Sequence, residues 1–249
     1  MCWNSLSIIF MIKKGDKNMR KNILSILTIL LITVATPAFC EITLSEFSTY
    51  NSKIDGFEAK IVTPMIRGLA DKKIENEINS NFRVKAKAAI SEYENYVVEE
   101  TNKSPKTEGH FALISDVIVK TNNKRILAFD YYSLNVVGSS STKHEFYTFI
   151  KDSGKLLTLK ELLKKQPNYV QKISKYIKAE MKRINKKENG MFWVERGSQD
   201  EFKKIKEDQN FYINDEGSLV ICFDKYEVAA GAQGSPEFII PTKISGVIL

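Results

Sequence analysis

The stretch Phe223–Pro241 of this 249-residue chain, FDKYEVAAGAQGSPEFIIP, gathers several residue types that chemistry uses. Asp224 and Glu227 flank Tyr226, and two carboxyls held at a suitable separation can serve as acid and base on a glycosidic bond. An acid-rich turn beside glycines is also the ordinary form of a solvated surface. Gly231-Ala-Gln-Gly234 lacks the lysine and hydroxyl of a phosphate-cradling loop and leads into an apolar run instead of a helix. It lacks the flanking helices of an RNA-clamping Gly-x-x-Gly loop as well. Gly231 and Gly234 give access to backbone angles closed to other residues, and Tyr226 joins a large apolar ring to a polar tip. The stretch therefore reads as a structural corner shaped by Gly231, Gly234 and Pro241, with Tyr226, Asp224 and Glu227 as binding candidates. Asp215 and Glu216 join them as the nearest upstream acids.

Elsewhere the reactive residues are sparse. Gly138–Thr142, GSSST, is no nucleophile elbow, because no glycine follows a serine at the required spacing. His110 and His144, with Asp116 or Asp130, are zinc-ligand types, yet their spacing enforces no ligand geometry and strand-end histidines are the simpler reading. No metal or cofactor is expected. Cys222, in SLVICF, reads as a buried thiol.

The first forty residues have the order of a secretory signal: Arg20 and Lys21, an uncharged segment from Ile23 to Ala35, then ATPAFC. That segment is shorter than the roughly 20 residues that span a bilayer. Cleavage after Cys40 leaves Glu41 first, and Ala38 is the alternative site. Lys13-Lys14-Gly15-Asp16 can be encoded by a purine-rich ribosome-binding sequence, which makes Met19 a candidate start. The expected product is secreted or periplasmic, and membrane-bound only if the signal is retained. Cys2 and Cys40 fall in or before the signal, so the domain must fold without a disulfide.

Removing residues 1–40 takes away five Lys/Arg and one Asp, leaving 32 basic and 29 acidic residues and a net charge of +3. Nucleic acid is therefore a poor partner for an exported chain of this charge. The remaining charge is uneven. Residues 160–187 hold ten Lys/Arg against Glu161 and Glu180, and residues 207–237 hold seven acids against Lys225. Such asymmetry steers partners where it is not simply a solvated face.

The elements that must position these groups follow from periodicity. Phe57–Val62 alternates and is expected to end at Pro64. Asp71 then precedes a long helix with Ile74, Ile78, Phe82, Ala86 or Ala89, Tyr93 and Val97 inward. TNKSPKTEG, Thr101–Gly109, has linker composition and divides residues 41–105 from 106–249. Runs at 111–120, 124–137 and 144–151 suggest an antiparallel meander, with Asn122-Asn123 in left-handed backbone at one turn. Thr158/Glu161 and Ser198/Glu201 match capping boxes that start helices. Between them a basic helix buries Tyr169, Ile173, Ile177, Met181 and Ile184, and strands return at 211–213, 219–223 and 237–240.

Taken whole, Phe211–Pro241 resembles the signature of the extracellular domain found in RsiV-type anti-sigma factors and in the accessory region of PdaC-type peptidoglycan deacetylases. Asp215, Gly217, Phe223, Tyr226, Glu227, Gly231, Gly234 and Pro241 fall in step with it. SGKLLTLKELL, Ser153–Leu163, looks like the family's Gly-Lys-x-x-Thr-Leu-x-x-Leu segment. KIVTPMIRGLADKKIENEIN resembles the PdaC-like half through Pro64, Gly68, Ile78 and Asn79. The chain departs from the pattern after Gly138, where SSSTK precedes His144.

The resemblance implies an α+β fold, a twisted antiparallel β-sheet covered by helices in two packed subdomains: a PdaC-like one at 41–105 and an RsiV-like one at 106–249. It also implies a lysozyme-binding domain outside the membrane. At most 22 residues precede the apolar segment, too few for a sigma-binding domain, and no second domain is evident for deacetylase chemistry. The expectation is an exported, non-enzymatic envelope-binding module for a lysozyme-like protein or peptidoglycan fragments. A glycan hydrolase acting through Asp224 or Glu227, or a module docking to another envelope protein, are the alternatives.

Overall fold

A computed structural model describes residues 41–54, 56–103 and 110–249. The expected signal and its cleavage sites lie outside the described residues, as does most of the 101–109 linker.

Strands β1 (Thr43–Ile54) and β2 (Phe57–Arg67) form an antiparallel pair. Strand β2 runs past Pro64, where the sequence predicted its end. Opposite Pro64 the pairing skips from Glu46 to Ser48, so the proline, which has no N–H to give, sits at a bulge. Phe47 is the extra residue. Strand β1 is not legible in the sequence, because its mixed exposure as an edge strand blurs the alternation.

Helix α1 (Lys72–Lys103) starts where the sequence indicates: the Asp71 carboxylate accepts from the N–H groups of Lys73 and Ile74 at 2.8 and 3.2 Å. It ends beyond Thr101, so the linker's first three residues are its last turn. Helix α1 connects β2 to β3 (Phe111–Asn122), and these two strands pair in parallel. The sheet is thus mixed at this one position instead of wholly antiparallel, because a strand–helix–strand crossover brings the second strand back in the same direction. The sheet also continues across the boundary drawn at 105/106.

The meander is present. Strands β3, β4 (Ile126–Val137) and β5 (Ser139–Ile150) pair antiparallel, and β6 (Lys155–Leu156) completes the order β1-β2-β3-β4-β5-β6. The β3–β4 turn uses no left-handed asparagine: the Asn123 side chain accepts from Arg125 and Ile126 N–H groups at 2.9 Å and closes it locally. Thr158 and Glu161 make the expected capping box, which opens the short helix α2 (Leu159–Leu162). Ser198 and Glu201 do not cap a helix. Ser198 Oγ donates to Glu195 O, Glu201 binds Lys178, and the chain stays irregular as Phe202 and Ile205 enter the core.

Helix α3 (Tyr169–Glu188) buries Ile173, Ile177 and Met181. A second sheet follows, β7 (Phe211–Ile213), β8 (Leu219–Cys222) and β9 (Glu237–Ile240), and then helix α4 (Thr242–Ser245). Strand β4 serves both faces of the large sheet. Leu127, Phe129 and Tyr131 meet Phe82 of α1, whereas Ile126 and Ala128 pack with α3 and the second sheet. By the same alternation Asp130 points toward the second sheet.

Candidate functional site

The corner begins where β8 ends. Phe223 is buried and donates its N–H to Pro236 O at 3.0 Å, which brings both arms of the bend together. Glu227 closes the turn on itself: its N–H reaches Asp224 O at 3.0 Å, and its Oε2 accepts the Asp224 N–H at 2.9 Å. Its Oε1 takes Lys206 Nζ at 2.9 Å and Gln209 Nε2 at 3.3 Å. Asp224 Oδ1 accepts the His144 N–H at 2.9 Å, and Oδ2 faces Lys143 Nζ at 3.4 Å. Both acids proposed for sugar chemistry are committed to donors that hold the corner.

Tyr226 is different. It is one of three non-glycine residues with positive φ among the described residues, at 66°, and the residue is 48% exposed. The ring lies against Gly231, where a Cβ would stand 2.3 Å from ring atoms. Gly231 is therefore needed for close approach and not for positive φ, whereas Gly234, at φ 69°, is needed for its backbone angle. Lys225 Nζ stands 5.2 Å from the Tyr226 ring centroid and donates to Ser140 O and Oγ at 2.9 and 2.7 Å. Pro241 ends β9 and accepts the first backbone bonds of α4.

Asp215 and Glu216 do not join this group. They occupy the exposed β7–β8 turn, closed by Asn214, at the other end of β8 from Asp224. The acidic tract also divides by pairing. Glu207, Asp224, Glu227 and Glu237 face Lys160, Lys143, Lys206 and Lys120. Asp215 and Glu216 have no ion pair among the described residues.

A constellation that the sequence did not reveal fastens the corner to the large sheet. His144 on β5 has its Nδ1 2.8 Å from Asp130 Oδ2 and its Nε2 2.9 Å from Ser235 Oγ. Its backbone is held as well, by Asp224 at the N–H and by Asn210 Nδ2 at the carbonyl, 2.9 Å away. Asp130 is 1% exposed and its Oδ1 has no hydrogen-bond partner among the described residues. The structure thus unites His144 and Asp130, but with a serine hydroxyl as third member. His110 lies at the start of β3 and Asp116 binds Lys60. Among the described residues no three His, Cys, Asp or Glu side chains gather as metal ligands. One signal was readable: Asp130 continues the inward alternation of Ile126 and Ala128, and an acid there requires a buried partner.

Comparison with known proteins fits this arrangement. Residues 50–139 match the family described as Deacetylase PdaC, and residues 160–243 match the Protein of unknown function DUF3298. The chain joins a PdaC domain to a DUF3298 domain. The anti-sigma-V factor RsiV of Bacillus subtilis (strain 168) is 35% identical over 190 residues, 76% of this chain. The aligned part spans 64% of that relative's length. Two crystal structures of DUF3298 proteins share the fold. The one from Bacteroides fragilis NCTC 9343 has a TM-score of 0.57 at 14% identity, covering 83% of this chain and 93% of its own. The one from Pseudomonas aeruginosa PAO1 has a TM-score of 0.53 at 13% identity, covering 85% and 96%. Within this frame the corner belongs to the DUF3298 domain, Asp130 to the PdaC domain, and His144 to the segment between the two matches.

Proposed function

We propose that this chain is an exported, non-enzymatic binding module of the cell envelope, acting outside the cytoplasm on a lysozyme-like protein. The observation that carries the reading is Tyr226: an exposed ring held at positive φ, backed by Gly231 and flanked by the Lys225 ammonium. An exposed aromatic side chain carried by a fixed corner is a typical energetic centre of an interface. The similarity to an anti-sigma factor over most of the chain, with the sequence's secretory pattern, supports a protein partner outside the membrane. Asp215 and Glu216, exposed and free of ion pairs among the described residues, suit the rim of an interface with a cationic protein.

Peptidoglycan fragments are the second reading, favoured by the basic helix α3, whose Lys172, Lys175, Lys182, Lys186 and Lys187 have no ion pair among the described residues. Titration of the purified protein against lysozyme and against soluble peptidoglycan at two salt concentrations separates the readings. With lysozyme as partner, Tyr226→Ala weakens binding by about tenfold or more. Asp215→Lys with Glu216→Lys mainly slows association and reduces its salt dependence. Absence of lysozyme binding at low salt, together with binding of glycan, transfers the function to α3.

A further inference from the structure

We propose that Ser235 is an activated nucleophile that accepts a short acyl group from esters, with His144 as its base and Asp130 as the group that orients the base. The three side chains come from β5, β4 and the corner, and nothing in their sequence spacing brings them together. Their geometry has the order that nucleophilic catalysis needs: a hydroxyl within hydrogen-bond reach of one imidazole nitrogen, and a buried carboxylate on the other. Asp130, 1% exposed, holds Nδ1 as the donor, which leaves Nε2 to accept the serine proton. The imidazole is fixed further through its own backbone by Asp224 and Asn210. Ser235 is half-buried and follows the positive-φ Gly234.

In the step itself Ser235 Oγ bonds to the ester's acyl carbon while its proton passes to His144 Nε2. The tetrahedral adduct then expels the alcohol, which leaves with that proton. Ser235 becomes the acyl ester, His144 is neutral again, and no oxidant or second reactant is consumed. Asp130 stabilises the transient imidazolium without taking up a proton. Two neighbours set the limits. The His144 ring has Tyr132 across the sheet and Phe146 along its own strand, with ring centroids 6.3 and 6.0 Å away, an apolar surround that favours a small acyl group. Pro236 follows the nucleophile and has no N–H, so the donor that acyl-transfer sites most often place there is missing. Acylation should accordingly stop at about one group per chain, so that the chain is modified without acting as an enzyme.

The test uses the purified full chain with p-nitrophenyl acetate and, separately, a fluorophosphonate probe. The expected result is a release of nitrophenolate equal to about one per chain, with one acetyl group mapped by peptide mass to Ser235, and probe labelling at the same residue. Ser235→Ala abolishes both, Ser235→Cys restores acetylation, and Asp130→Asn slows it by about a hundredfold or more. Thermal melting of Ser235→Ala confirms that the fold is kept. Equal nitrophenolate release from the parent and a folded Ser235→Ala, or acetyl groups found only on lysines, overturns the proposal and leaves His144 a structural clamp.

Discussion

The ring of Tyr226 rests on Gly231 so closely that a methyl group there would collide with it, its Cβ 2.3 Å from the ring's outer atoms. Those atoms belong to the free end of a half-exposed side chain, which can swing away. Gly231→Ala should therefore cost little stability, within about 1 kcal/mol, while displacing the ring and weakening partner binding as Tyr226→Ala does. Gly234→Ala should do the reverse. Its Cβ meets open space, but φ of 69° with ψ of −142° is strained for any side chain, at about 1–3 kcal/mol. Thermal melts paired with partner titrations of the two variants check the contrast.

His144 and Asp130 should be coupled in stability. His144→Ala leaves the buried Asp130 carboxylate without its hydrogen-bond donor and should destabilise the fold by about 1–3 kcal/mol. Adding Asp130→Asn to that variant removes the uncompensated charge and should recover part of the loss. A double-mutant cycle by denaturant unfolding measures the coupling, and simple additivity would contradict it.

Local rules made much of this architecture legible. The inward stripes of α1 and α3, the Asp71 cap, the Thr158 capping box and the β7–β9 strands follow from periodicity and from residues within one turn of each other. The failures share a different cause. Pro64 continues a strand because a bulge on β1 receives it, and Ser198/Glu201 makes no capping box because the Glu201 carboxylate goes to Lys178, on another element, and to the Gly197 N–H. The His144 constellation is non-local in all three members, so no sequence window contains it. Gly231 marks the corner in the sequence through its backbone freedom, whereas what it meets in the structure is the Tyr226 ring, a side-chain position that no local backbone rule contains.

Glu201 should govern part of the acid sensitivity. Its carboxyl is held below the ordinary carboxylate range, first by the Lys178 ammonium at 2.5 Å and then by the Gly197 N–H. A carboxyl whose folded pKa is depressed stabilises fully above its unfolded pKa, and that contribution disappears as pH falls through the folded value. Glu201→Gln should thus lower the melting temperature at neutral pH and converge with the parent in acid below the ordinary carboxylate range. Parallel melts across that range provide the check, and a constant gap at every pH would rule out the ion pair as the cause.

Cys222 should be chemically silent in the folded protein. It sits in the centre of the second sheet, 1% exposed, and burial foremost pushes its thiol pKa well up, with the Glu237 carboxylate adding to the rise. The reactive thiolate is therefore disfavoured and reagent access requires opening of β8, whose neighbours β7 and β9 are both paired to it. Reaction with a thiol reagent should be at least about a hundredfold slower in the native chain than in denaturant, and its rate should become independent of reagent concentration once opening is limiting. Cys222→Ala should cost roughly 1 kcal/mol through the small cavity it leaves, without affecting Ser235 acylation or partner binding. Fast labelling in native conditions would mean that the second sheet opens freely, and that the corner it supports is not the rigid platform on which Tyr226 depends.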